Sequence, residues 1–135
     1  MMYRCLIANR GEIAVRIIRA CRELNIETVA IYAKGDETSL HVSLADQAIC
    51  IGEANPLDSY LNIDRIISAA KVTESNAIHP GYGFLSESTN FAKAVEDNHI
   101  HFIGPSKTTM EMMGDKITAR QTVKQAGVPV IPGSN

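Results

Sequence analysis

Five short apolar runs, each separated from the next by a helical or turn-rich segment, constrain the fold of this chain more than any other feature. The runs lie at residues 5–8, 28–32, 48–51, 76–78 and 100–103. They are continuous rather than alternating, which is typical of strands covered on both faces of a sheet. Parallel neighbours need crossover connections, so the alternation of strand and helix predicts an α/β fold with a parallel sheet wound on both sides.

The segments between the runs carry the 3.6-residue period of amphipathic helices. The clearest pattern covers residues 12–24, and residues 63–72 and 91–95 carry shorter versions of it. The apolar positions of the first pattern are Ile13, Ile17, Ala20, Cys21 and Leu24.

The character of the sequence changes after residue 105. Two helical patterns follow, at residues 108–113 and 116–125, and the final residues, which contain two prolines, are typical of a linker. We therefore expect one α/β domain over residues 1–105. Residues 106–135 are predicted to form a helical hinge and linker that leads toward a further domain.

Composition and charge exclude several classes of protein. Leucine, isoleucine, valine and phenylalanine make up about a quarter of the 135 residues, which is above the range of disordered chains. Thirteen basic and fifteen acidic residues give a net charge of -2, so no overall positive field attracts a nucleic acid or an anionic lipid surface. We expect a globular protein that binds neither nucleic acid nor membrane.

The three cysteines, Cys5, Cys21 and Cys50, lie in apolar segments, and their spacing does not resemble a metal site. We interpret them as reduced core residues. No signal peptide precedes the first strand, and no apolar run approaches the length that spans a bilayer. These features predict a cytoplasmic protein.

The loop after the first strand, residues 9–12, lies where a dinucleotide-binding protein places its glycine-rich turn. Gly11 is the only one of the three glycines of that motif present here, which argues against a nicotinamide cofactor. A tight strand-to-helix turn at Gly11 is the better interpretation.

The loop at residues 79–87 follows the fourth run, at the edge of the sheet where ligands gather in open α/β folds. Gly81 and Gly83 permit unusual backbone angles around Tyr82, so its ring could project from a thin loop as part of a ligand site. A structural turn with Tyr82 and Phe84 folded into the core is equally compatible with the composition. His79 taken alone is more typical of a satisfied buried histidine than of a metal ligand.

Four charged residues form a stripe on the first predicted helix, opposite its apolar face. A solvated face is the default interpretation of such a stripe, and a partner surface is the alternative, because arginine is favoured at interfaces. The stripe consists of Glu12, Arg16, Arg19 and Glu23.

Several of these segments together closely resemble the amino-terminal domain of biotin carboxylase, an ATP-grasp enzyme. The resemblance runs essentially from end to end, and it implies a Rossmann-like pre-ATP-grasp domain followed by a helical segment. One departure is Ser88, where the family usually has asparagine. The segments that carry the resemblance are residues 7–14, 16–21, 79–87, 102–105 and 113–116.

The resemblance implies an activity for the longer enzyme. Members of this family use ATP and bicarbonate to make carboxyphosphate and then carboxylate N1 of biotin on a carrier protein, with Mg²⁺ or Mn²⁺ holding the phosphates. The metal ligands and the general base of the family lie in later domains, so the resemblance implies no catalytic residue and no metal ligand in this chain, and a fragment that is inactive alone. It also implies a homodimer, a biotin carboxyl carrier protein and a carboxyltransferase component as partners.

Within the family, residues 44–46, 50–52 and 59–62 are most similar to the biotin carboxylase component of acetyl-CoA carboxylase, which performs the first half-reaction in fatty acid synthesis. Pyruvate and propionyl-CoA carboxylases share most of the remaining sequence. The equivalent domain of one of those enzymes is therefore an alternative. A non-catalytic Rossmann-like module that binds a small ligand is another, and a dehydrogenase domain is a poorer one.

Lys116 is the residue we assign to ATP. The sequence predicts a helix that begins after Asp115, which places Lys116 in its first turn, where the helix dipole disfavours a cation by roughly 0.3–1 kcal/mol. A nearby anion would explain this placement, although sequence alone favours a solvated lysine. The matching lysine of the family contacts the nucleotide phosphates.

Two further groups of residues receive roles from the resemblance. Tyr82 and Gly83 are expected at the edge of the biotin pocket, with the ring against the biotin bicycle. Arg16, Arg19 and Glu23 are expected at the homodimer interface.

Overall fold

A computed structural model describes residues 3–104 of the chain as a five-stranded parallel sheet with helices on both faces. The order of the strands across the sheet is β3-β2-β1-β4-β5. This arrangement confirms the predicted α/β class, and each predicted run forms a strand. The strands are β1 (Arg4–Ile7), β2 (Glu27–Ala33), β3 (Gln47–Gly52), β4 (Ala77–His79) and β5 (His101–Phe102).

The three helices predicted at residues 12–24, 63–72 and 91–95 are all present. The structure adds a five-residue helix and a 3-10 turn (Pro56–Asp58), both too short for an apolar period to reveal them in the sequence. The helices are α1 (Gly11–Glu23), α2 (Leu40–Leu44), α3 (Ile63–Val72) and α4 (Thr89–Asp97).

Alternate residues of the central strands supply two cores, one on each face of the sheet. On one face, Cys5 and Ile7 pack with the buried side of α1. On the other face, Leu6 packs with β2, α3 and α4. Because successive side chains of a strand point to opposite faces, the continuous apolar run in β1 is what allows helices to cover both sides.

Two helices begin at side chains that cap them. The side-chain Oδ1 of Asn62 accepts a hydrogen bond from the Arg65 N–H at 3.1 Å, and the Ser88 hydroxyl oxygen accepts one from the Phe91 N–H at 3.1 Å. Serine and asparagine are comparable N-caps. Serine at position 88 therefore keeps the start of α4 hydrogen-bonded, as asparagine would.

One prediction about the core is wrong. Cys50 is exposed, whereas Cys5 and Cys21 are buried as expected; all three thiols are free. The reason is that β3 is an edge strand, with only Ile51 of its six residues buried. Its apolar run resembled that of a central strand, and a run of this kind does not reveal the position of the strand in the sheet.

The predicted helical hinge and linker, residues 106–135, lie outside the residues that the structure describes. Within residues 3–104, no helix combines the length and the apolar character needed to cross a membrane.

We expect Gly52→Ala to destabilise the domain strongly. Gly52 has φ +152°, and a Cβ atom there would lie 2.1 Å from the backbone oxygen of Asp58. Gly35→Ala is the matched control, because Gly35 also has a positive φ (+100°) but no heavy atom within 4 Å of the added Cβ. The steric clash should lower the free energy of unfolding by about 1–3 kcal/mol beyond the control, measured by chemical denaturation. Equal losses in the two variants would show that the contact with Asp58 relaxes freely.

Candidate functional site

The candidate site lies at the carboxyl ends of β1 and β4, the two neighbouring strands at which the strand order reverses direction. From β1 the chain proceeds outward to β2 and β3, and β4 and β5 then extend the sheet on the other side. Ligands of open α/β sheets bind at such a switch point, in the crevice outside the carboxyl ends of the strands. The loops that leave β1 and β4 are residues 8–10 and 80–88.

Asn9 connects these two loops. Its side chain is buried, and its Nδ2 donates hydrogen bonds to the carbonyl oxygens of Pro80 at 2.9 Å and Tyr82 at 2.7 Å. Its Oδ1 accepts a hydrogen bond from the Arg10 N–H at 2.8 Å. Sequence reasoning gave Asn9 no role, although a polar residue directly after a central strand was a signal that could have drawn attention to it.

The loop after β4 is tightly folded around Asn9. Gly81 has φ +67°, and a Cβ atom at that position would lie 2.8 Å from Asn9 Nδ2, so no other residue fits without displacing the amide. Gly83 also has a positive φ (+69°), but the space beside it is open, with nothing within 4 Å of an added Cβ. The predicted unusual backbone angles are therefore present at both glycines.

Tyr82 and Phe84 have opposite environments. The Tyr82 side chain is 64% exposed, so the interpretation that folds it into the core is wrong for this residue. Phe84 is half-buried and its ring stacks on that of Tyr60, with centroids 5.3 Å apart. The loop is thus anchored by one aromatic residue and presents the other to solvent.

The Arg10 guanidinium lies over the Tyr60 and Phe84 rings, at 5.0 and 5.7 Å from their centroids, and pairs with Asp36 at 3.4 Å. At such a partly exposed site a cation–π contact contributes about 0.5–1 kcal/mol. The Tyr60 hydroxyl donates to Asp36 Oδ2 at 2.7 Å and accepts from the Ala33 N–H at 3.1 Å. Burial, together with the hydrogen bond to Asp36, raises the pKa of Tyr60, so its hydroxyl remains a neutral donor.

The turn at Gly11 is structural, as predicted from the sequence. Gly11 has φ +70° and begins α1 directly after the loop that contains Asn9. The left-handed backbone conformation that glycine adopts readily at this position allows the chain to turn from β1 into α1 within a few residues.

His79 supports the same loop from the end of β4. Its Nδ1 accepts a hydrogen bond from the Gly81 N–H at 3.0 Å, so the neutral ring carries its proton on Nε2. Burial lowers the pKa of His79 and favours this neutral form. Within residues 3–104, no group of three or more His, Cys, Asp or Glu side chains could hold a metal ion.

The charged stripe lies on the exposed side of α1, where Glu12, Arg16, Arg19 and Glu23 all face solvent. Beside it, α1 and α2 enclose a mostly apolar depression of about 510 Å³. Arg19, Val15 and the 56% exposed Leu40 are among its lining residues. Lys116, the residue assigned to ATP, lies outside the described residues.

Comparison with known proteins identifies relatives over the whole chain. Residues 1–110 match the family model for the biotin carboxylase N-terminal domain. Biotin carboxylase 1 of Bacillus subtilis (strain 168) is 58% identical over 134 residues, which are 99% of this chain and 30% of that protein. The pyruvate carboxylase of the same organism is 54% identical and matches 98% of this chain and 12% of its own length.

The fold is similar to that of a solved biotin carboxylase domain as well. The biotin carboxylase domain dimer of Hydrogenobacter thermophilus 2-oxoglutarate carboxylase, in complex with MgADP, ADP and bicarbonate, superposes with a TM-score of 0.85 at 53% identity. The match covers 99% of this chain and 29% of that one. The chain thus spans 30% or less of the length of each of these relatives.

We expect His79 to make the stability of the domain depend on pH. Because its folded pKa is lowered, its contribution is present above the unfolded pKa of about 6.5 and is lost as the pH falls below that value. Protonation of Nδ1 would also break the hydrogen bond from Gly81. The melting temperature should therefore fall between about pH 7 and pH 5, and His79→Asn, which keeps an acceptor near the Nδ1 position, should reduce that fall.

The matched control is His101→Asn, which replaces an exposed histidine on β5. It should leave the pH dependence of the melting temperature as in the unmodified chain. A pH profile that is identical in all three proteins would contradict the role of His79.

Proposed function

Because the chain belongs to the family of biotin carboxylase N-terminal domains, we propose that it is the N-terminal part of an ATP-dependent biotin carboxylase. The chain spans 30% of the length of the Bacillus subtilis biotin carboxylase, so we assign the activity to a longer polypeptide. In that enzyme, ATP and bicarbonate would form carboxyphosphate, and its carboxyl group would pass to N1 of biotin on a carrier protein. Residues 1–105 would form the Rossmann-like domain, and residues 106–135 would lead to the ATP-grasp domain.

The exposed ring of Tyr82 at the switch point of the sheet is the observation that supports this proposal most directly. An aromatic face offers apolar contact to a planar bicyclic ligand at low entropic cost. The open space beside Gly83 leaves room for such a ligand, and Asn9 holds the Tyr82 carbonyl in place. We therefore propose that Tyr82 and Gly83 form one edge of the biotin pocket.

ATP would be held at a different point of the enzyme. We propose that Lys116 contacts the nucleotide phosphates, on the strength of its resemblance to the family lysine and of its predicted place at a helix amino terminus. Mg²⁺ or Mn²⁺ would neutralise the charge that develops during phosphoryl transfer, and their ligands would come from other domains. The residues of this chain would thus bind and orient substrates and would not take part in the chemical steps.

The acceptor that we propose is acetyl-CoA. Residues 44–46, 50–52 and 59–62 resemble the acetyl-CoA carboxylase component, so the enzyme would work with a biotin carboxyl carrier protein and a carboxyltransferase in fatty acid synthesis. A role in pyruvate or propionyl-CoA carboxylation is the second candidate, favoured by the 54% identity to pyruvate carboxylase. Three free cysteines, one of them exposed, are typical of a reducing compartment and favour the cytoplasm.

The exposed stripe on α1 is proposed as a homodimer contact. Arg19 lines an apolar depression of about 510 Å³, and Arg16 and Glu23 are exposed on the same helix, so a partner could cover apolar surface and pair charges at once. The related domain from Hydrogenobacter thermophilus was solved as a dimer. A second copy of the enzyme is therefore the partner that we assign to this face.

Two substitutions in the enzyme that contains this chain should separate the biotin site from the ATP site. Tyr82→Ala should raise the KM for biotin about ten-fold, because an aromatic contact is lost, and should leave the KM for ATP nearly unchanged. Lys116→Ala should weaken ATP binding in calorimetry and leave the KM for biotin nearly unchanged.

Tyr82→Phe is the control for the ring, because it keeps the aromatic face and should retain the KM for biotin. Lys71→Ala is the control for Lys116→Ala, because it also removes one positive charge, from an exposed lysine on α3. If Tyr82→Ala changed only the melting temperature, the ring would not contact biotin. Unaltered ATP affinity in Lys116→Ala would refute the assignment of that lysine.

Charge reversal at Arg19 should weaken the dimer. Reversing one member of an interface pair leaves like charges opposed, whereas the same change at an isolated exposed site alters the free energy of unfolding little. Arg19→Glu in the enzyme should therefore raise the monomer fraction in sedimentation experiments. Lys71→Glu is the matched control, because α3 lies on the opposite face of the sheet from α1. The same dimer affinity in both variants would identify the stripe as a solvated face.

A further inference from the structure

The Asn9 side chain holds the backbone on both sides of Gly81. Its amide nitrogen has two N–H groups, and they donate to the carbonyl oxygens of Pro80 at 2.9 Å and Tyr82 at 2.7 Å. The side chain is only 3% exposed, so water does not compete freely for these bonds. Pro80 and Tyr82 lie 71 and 73 positions from Asn9 in the sequence.

The polar side chains nearest to asparagine in size could not form the same set of contacts. The Asn9 oxygen is fixed by the Arg10 N–H at 2.8 Å, so the nitrogen must point toward the loop. Aspartate has no donor, serine has one, and glutamine would place its amide one methylene further out. That extra length would drive the amide into Gly81, where even an added Cβ would lie only 2.8 Å from Nδ2.

The loop needs such external support because Phe84, which is not a glycine, has a positive φ of +44°. Gly81 (+67°) and Gly83 (+69°) adopt positive φ readily, and for that reason the chain around Tyr82 has several backbone conformations available unless contacts select one. Sparsely populated backbone conformations persist only where the surrounding structure holds them. Tyr82 lies inside this stretch with its ring in solvent, so the ring itself contributes little to holding the loop.

We propose that Asn9 is a positioning residue for biotin: its two hydrogen bonds fix the backbone of the Tyr82 loop so that the ring is in place before biotin arrives. This role rests on the proposed function, in which Tyr82 borders the biotin pocket. Asn9 acts through the loop and does not touch biotin. Its loss should therefore change biotin binding without a matching change in ATP binding.

The test uses Asn9→Ala and Asn9→Asp in the complete biotin carboxylase that contains this chain. Loss of the two hydrogen bonds should raise the KM for free biotin about three- to ten-fold, with the KM for ATP nearly unchanged. Amide hydrogen exchange of the peptide over residues 80–88 should become faster. Asn9→Asp should have the larger effect, because it turns a carboxylate oxygen toward two carbonyl oxygens. If that variant does not fold, Asn9→Ala carries the same test without a buried charge.

Asn98→Asp is the matched control. The Asn98 amide also donates to a backbone carbonyl, that of Ala94 at 2.7 Å, but at the end of α4. It should alter the melting temperature and leave the KM for biotin unchanged. Equal changes in the KM for biotin and for ATP in the Asn9 variants, or no change in either, would overturn the proposal.

Tyr82→Ala, measured in parallel, separates this inference from the proposed function. If Tyr82→Ala raises the KM for biotin and the Asn9 variants do not, Asn9 has no positioning role and the proposed pocket stands. If the Asn9 variants loosen the loop while Tyr82→Ala has no effect on biotin, the assignment of Tyr82 to biotin fails. In that case Asn9 is only a structural residue.

Discussion

A single buried amide joins the loops that follow the two central strands of the sheet. Because β1 and β4 are parallel neighbours, their loops leave the same edge side by side, and the Ala8 N–H donates to the His79 carbonyl at 2.9 Å. Asn9 extends this backbone contact by two hydrogen bonds into the loop of Tyr82. The requirement for glycine at position 81 follows from the close approach of that amide.

A second group of contacts stiffens the same edge. Asp36 follows β2, Tyr60 precedes α3 and Phe84 follows β4, and all three meet at the Arg10 side chain. Arg10 and Asn9 are neighbours in sequence, so the short loop after β1 contacts the segments that follow β2 and β4. Binding sites keep a fixed geometry when rigid elements support them, and this edge of the sheet meets that condition.

Most of the fold could be predicted from the sequence because it depends on local periodicity. The apolar run of β1, the apolar run of β2 and the apolar face of α1 are each defined by residues that lie close together in the sequence. The position of β3 at the edge of the sheet could not be predicted in this way. The prediction that Cys50 is buried was wrong for that reason. The order of strands is set by pairings between distant segments, which an apolar run does not encode.

The candidate site was predictable only in outline. The glycines around Tyr82 indicated a loop with unusual backbone angles, but composition left open whether its ring lies in the core or in solvent. That outcome depends on Tyr60, which stacks on Phe84 and leaves Tyr82 outside. The role of Asn9 depends on backbone carbonyl groups more than 70 residues away, so its polar side chain after a central strand could mark the position but could not identify its partners.

The most direct test is a pair of crystal structures of the complete enzyme, one with biotin and one without it. We expect the same Tyr82 loop in both, with Asn9 Nδ2 near the 2.9 and 2.7 Å distances to the Pro80 and Tyr82 oxygens. We also expect the Tyr82 ring in contact with the biotin bicycle. A loop that changes its backbone on binding would contradict the positioning role of Asn9, and biotin bound away from Tyr82 would contradict the proposed pocket.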